Sequence, residues 1–145
     1  MKNKKLQIII ITLSLILLIF SLTQNAIVRE FHNVKELQSS LDFFFMGATA
    51  IMGGGFLEWI IWLANPLCLF AMIDLWKGKE RSLIKCIVAF ALAISFAFWN
   101  EILGSESGSM ATIVSLQAGY YLWVASITVL TVGTFWYFKI FNAQI

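Results

Sequence analysis

The chain is poor in the residues that soluble chemistry draws on. It has one histidine, one proline and two cysteines among 145 residues, and only 12% of its residues are charged. His32 has no second histidine or cysteine at ligand spacing, so no metal site is expected. Cys68 and Cys86 form no C-x-x-C pair, which argues against a thiol relay and for small apolar packing residues. The chain contains no H-E-x-x-H, no G-x-S-x-G and no paired catalytic aspartates. An enzyme is therefore not expected, and neither is a cofactor. The net charge of +2 is too small to point to nucleic acid.

What is present is apolar sequence. Sixty per cent of residues are hydrophobic and the mean hydropathy is +0.85. Soluble domains are typically ~45–50% apolar. Four stretches reach the ~20 apolar residues that a bilayer crossing requires. They are Leu6–Leu22, about Phe56–Trp76, Leu83–Trp99 and Ala111–Phe138. Together with their connections they fill the chain. The expected fold is all-α: one membrane domain, a polytopic four-transmembrane-helix bundle.

Lys and Arg accumulate on the cytoplasmic side of membrane proteins. Lys2, Lys4, Lys5, Lys77, Lys79, Arg81, Lys85 and Lys139 fall on one side under alternating topology, and only Arg29 and Lys35 on the other. Both termini and the Lys77–Lys85 loop are thus expected in the cytoplasm, with Thr23–Gly55 and Glu101–Met110 outside, in the cell membrane. The basic start could also open a signal peptide. The first apolar run exceeds the ~7–15 residues usual for one, and the sequence after it lacks small residues at both cleavage positions. Span one is accordingly read as retained, an aliphatic anchor with only Thr12, Ser14 and Ser21 as small polar residues.

Between spans one and two, Ile27, Val28, Phe31, Val34, Leu37 and Leu41 recur at three- and four-residue steps among charged residues. That pattern predicts an amphipathic helix over about 27–42, lying on the outer surface or over the bundle. Phe43–Met52 is apolar but too short to cross, and it runs into Gly53-Gly54-Gly55. The preferred reading is a re-entrant helix that breaks at these glycines, over one long kinked helix continuous with span two.

Polar residues within the spans gather toward one face. Glu58, Trp62 and Asn65 are spaced i, i+4, i+7, and Pro66 follows them. Ala89, Ala93 and Ala97 repeat every fourth residue, a spacing at which backbones approach closely, and Glu101 continues the series beside Asn100. Gln117, Tyr120 and Tyr121 share a face near the outer end of span four, while Gly119, Ser126 and Gly133 form a second small-residue seam. Two readings stand. Either these groups bind helices together, or Glu58, Trp62, Asn65, Asn100, Glu101, Gln117, Tyr120 and Tyr121 line a pocket, with Glu58 and Glu101 sharing a proton. Asp74, three residues before Lys77, reads as an ordinary ion pair.

The function expected from this pattern is a membrane binding or interaction module with an outward-facing polar-aromatic pocket. Its partner would be membrane lipid, a small ligand, a membrane protein or a second copy of the chain. Immunity proteins against pore-forming toxins are similar in size and architecture. The alternative is a small proton- or cation-coupled transporter working as an oligomer. Small multidrug-resistance transporters are similar in size and helix number, but their glutamate lies in the first helix, where span one here has no charge.

Overall fold

The computed structural model describes residues 3–105 and 107–142. Among the described residues, four helical segments are long and apolar enough to cross a membrane: Lys4–Leu22, Phe56–Trp76, Arg81–Phe98 and Ala118–Ile140. Helix α1 is Lys4–Leu22, with the Asn3 side chain accepting the Leu6 N–H at its start. The second segment is two helices, α3 (Phe56–Trp62) and α4 (Ala64–Trp76), meeting at Leu63 just before Pro66. The third is α5 (Arg81–Ser95) with a 3-10 turn at Phe96–Phe98. The fourth is α6 (Ala118–Asn142).

The all-α expectation is corrected by a four-stranded antiparallel sheet in the order β2-β1-β4-β3. Its strands are β1 (Asn25–Phe31), β2 (Val34–Ser39), β3 (Glu101–Leu103) and β4 (Met110–Leu116). The amphipathic helix expected over 27–42 is a β-hairpin. Phe31 pairs with Val34 across a two-residue turn, and His32 (φ 50) and Asn33 (φ 64) both take positive φ. That is the geometry of a type I′ hairpin, whose twist matches the strands it joins. Helical spacing misleads here because Val34 and Leu37 of β2 are exposed apolar residues, while Ile27 of β1 is fully buried. The fourth span is shortened for a related reason. Residues Ala111–Leu116 include Thr112, Ile113 and Val114, β-branched side chains that suit a pleated strand.

The sheet extends the helix pair α1–α6. Strand β1 leaves α1 and pairs with β4, which leads into α6, and the Gln117 N–H closes the ladder on the Ala26 carbonyl at 2.8 Å. Helix α2 (Ser40–Thr49) follows the hairpin, capped by the Ser39 hydroxyl on the Asp42 N–H. It tightens into a 3-10 turn at Ala50–Gly53 and stops at Gly54, whose φ of 87 is left-handed. The expected break at the glycines is there.

Span one is not featureless. Gln7, Ser14 and Ser21 recur every seven residues and are all buried. The Ser14 hydroxyl donates to the Ser126 carbonyl at 2.9 Å and the Ser126 hydroxyl donates back to the Ser14 carbonyl at 2.8 Å. The Ser21 hydroxyl donates to the Gly119 carbonyl at 2.8 Å, and Ile10 packs on Gly133. The small-residue seam of α6 therefore meets a polar seam on α1, while Ile9, Ile16 and Ile19 face outward. At the far end Gln7 Nε2 donates to the Leu75 carbonyl at 2.6 Å and to the Tyr137 hydroxyl at 2.9 Å.

Candidate functional site

Under the sheet, α1, α2, α3, α4 and α6 enclose a cavity of about 110 Å³. Three of its polar walls are tied by helix-to-helix hydrogen bonds. Trp62 Nε1 donates to the Phe44 carbonyl at 2.8 Å, joining α3 to α2. A side chain at Gly47 would place its Cβ 2.5 Å from the Trp62 ring, so glycine lets these helices approach. Trp123 Nε1 donates to Asn65 Oδ1 at 2.9 Å, joining α6 to α4. The buried Tyr120 hydroxyl donates to the Ala93 carbonyl at 2.8 Å, joining α6 to α5.

Glu58 closes the upper wall. Its Oε1 accepts the Leu103 N–H at 2.8 Å, which fastens β3 to α3. Its Oε2 lies against Gly55, 3.1 Å from where a Cβ would stand. Ser40, at the start of α2, is the exception among these polar groups. It is 7% exposed and lines the cavity, and its hydroxyl has no hydrogen-bond partner among the described residues. A buried hydroxyl left unpaired costs about 1–3 kcal/mol.

A second cavity of about 270 Å³ lies alongside, between α1 and α4. Leu18, Phe44, Trp62, Asn65 and Trp123 border both.

The structure thus brings Glu58, Trp62, Asn65 and Tyr120 to one chamber, and leaves Asn100, Glu101, Gln117 and Tyr121 out of its lining. The helix of span three ends at Phe98, so the four-residue series of Ala89, Ala93 and Ala97 does not carry on to Glu101. Glu101 is an exposed strand residue paired with Thr112, so the two glutamates do not share the chamber. Asn100 is exposed, and its carbonyl accepts the Ile113 N–H at 2.8 Å. Gln117 donates to the Ser115 hydroxyl at 2.8 Å, and Tyr121 is exposed. Trp59 stacks on Phe56.

Ser40, Ser21 and Phe44 are lining residues that the sequence reading missed. Ser21 was accessible through its seven-residue spacing from Gln7 and Ser14; Ser40 lay inside the segment misread as an amphipathic helix. Among the described residues, no three His, Cys, Asp or Glu side chains gather as a metal site would require.

The opposite end is basic. Asp74 is buried and accepts from Arg81 Nε at 3.0 Å and from Lys85 Nζ. Both are ion-pair partners of Asp74. Lys4 Nζ donates to the Trp76 carbonyl at 2.8 Å and sits over the Trp76 ring. The α4–α5 turn ends in a Schellman arrangement, with Gly78 N–H on the Leu75 carbonyl and Lys79 N–H on the Asp74 carbonyl, both at 2.8 Å, and Gly78 at φ 66.

The chain matches no family model, no curated protein and no solved structure.

Proposed function

We propose that this protein is a binding module of the cytoplasmic membrane, holding a guest in the chamber beneath the sheet. The four apolar helices support the membrane setting. The distribution of basic residues supports termini and the Lys77–Lys85 turn in the cytoplasm, and the sheet outside. The observation that carries the reading is the Ser40 hydroxyl. It is buried, unpaired and at the wall of a cavity where Trp62, Asn65 and Tyr120 are already committed to neighbouring helices. Ligand sites are mostly apolar with a few placed polar groups, and this chamber has that composition. Gln7 Oε1 and Ser82 Oγ are also buried without a partner among the described residues, but of the three groups Ser40 alone lines a cavity. Coupled transport gains less support, because the carboxylates it would couple do not meet at one site.

Extraction into mild detergent from the native membrane, followed by mass analysis of the intact protein, tests this. The wild type should carry a bound molecule. Ser40→Leu, which fills the cavity, should lose it without lowering the melting temperature by more than a few degrees. Equal occupancy in both proteins would rule the chamber out as the site.

A further inference from the structure

The two cavities change character along their length. Ser40, Ser21 and Glu58 stand where helices begin or end: the first residue of α2, the last turn of α1 and the first turn of α3. The larger cavity runs deeper along Leu15, Leu69 and Met72. Leu15 and Leu69 are themselves exposed, so the cleft between α1 and α4 reaches the outer apolar surface. In a bilayer that surface meets acyl chains, and the helix ends meet headgroups. The chamber therefore offers polar groups at headgroup depth and apolar walls at hydrocarbon depth, joined by a side opening.

The polar end is also selective in charge. It carries the Glu58 carboxylate, and among the described residues no Lys, Arg or His lines either cavity. Arg29, on the sheet above, is held by Glu36 at 3.1 Å. A phosphate pressed into this end would meet a carboxylate and no cation. A group that donates hydrogen bonds would meet two side chains with acceptor oxygens that line this end, the Glu58 carboxylate and the Ser40 hydroxyl. An ammonium has three N–H donors and no acceptor.

Resting on the binding reading above, we propose that the guest is a membrane phospholipid with a primary ammonium headgroup. One acyl chain lies in the cleft between α1 and α4, and the ammonium is held by Glu58 and Ser40. The lipid enters sideways from the leaflet on the sheet side, and its phosphate stays outside the carboxylate-lined end.

The test is a titration of the delipidated full-length protein in detergent with dioleoyl phosphatidylethanolamine or dioleoyl phosphatidylglycerol, read as lipid-bound fraction by native mass spectrometry. The wild type should favour the ethanolamine lipid by about tenfold, the ratio that one charge-assisted hydrogen bond of ~1.4 kcal/mol supplies. Glu58→Gln keeps an acceptor for Leu103 but loses the charge, and should bring the ratio close to one. Leu69→Trp, which narrows the cleft at its rim, should lower the binding of both lipids. Phe45→Ala, at an exposed position outside both cavities, should change neither. Equal binding of the two lipids by the wild type, or a preference untouched by Glu58→Gln, overturns the proposal. If neither lipid binds while the native-membrane extract still shows a guest that Ser40→Leu removes, the lipid assignment fails and the binding reading survives. If no guest appears in either experiment, both fail.

Discussion

Gly133 shows how a single position sets the distance between α1 and α6. A Cβ there would lie 2.8 Å from two carbons of Ile10, so the helices are as close as glycine permits. Gly133→Leu would force the pair apart, and overpacking of this kind costs about 1–3 kcal/mol. Seven residues away on α6, Ser126 exchanges hydrogen bonds with Ser14 through hydroxyl and carbonyl. Ser14→Ala removes the Ser14 donor and leaves the Ser126 donor in place. The expected loss is small, about 0.5–1 kcal/mol for one interhelical bond in an apolar medium. Thermal unfolding in detergent should thus order the proteins wild type, Ser14→Ala, Gly133→Leu, with the larger step at the second substitution. A Gly133→Leu protein as stable as the wild type would show that the α1–α6 contact is looser than the geometry gives.

The helices were legible in the sequence because their signal is length and apolarity, which need no partner to be read. The ends of α1 and of the α3–α4 segment fall within two residues of expectation for that reason. The sheet was not legible in the same way. Ile27, Phe31, Val34 and Leu37 follow helical spacing, and what excludes the helix is the pairing of β1 with β4, more than eighty residues along the chain. A local hint was present in Asn33, a residue that tolerates the left-handed conformation, following the β-branched run of β1. The chamber was half legible. Glu58, Trp62 and Asn65 share a helix face that survives the break at Leu63, whereas Glu101 was placed there by extending a helix past its true end. The hairpin turn supplies the check on the element. His32→Asn with Asn33→Gly gives the turn residues its positive φ angles favour and should stabilise the protein by up to about 1 kcal/mol. Asn33→Val should destabilise it by about 1–2 kcal/mol, because a β-branched side chain is strained at positive φ. Melting temperatures that move together, in either direction, would contradict a type I′ turn.

At the scale of the molecule, the two ends differ in kind. One end holds Arg81 and Lys85 on the buried Asp74, with Lys4 on the Trp76 carbonyl. The other carries the sheet and the chamber. The proposed orientation places the basic end in the cytoplasm, and it can be read by labelling. In a protein with Cys68 and Cys86 replaced by alanine, a cysteine at position 35 of β2 should react with a membrane-impermeant maleimide in intact spheroplasts. A cysteine at position 79 should react only after permeabilisation. The reverse pattern would turn the molecule over. The central claim, that the chamber beneath the sheet holds a guest, is tested most directly by a photoreactive diazirine analogue of leucine. Placed at position 18, it borders both cavities; placed at position 84, it stands on the exposed outer surface as a control. Illumination in native membranes should attach one dominant species at position 18 and a mixture reflecting bulk membrane composition at position 84. The same mixture at both positions would contradict the account.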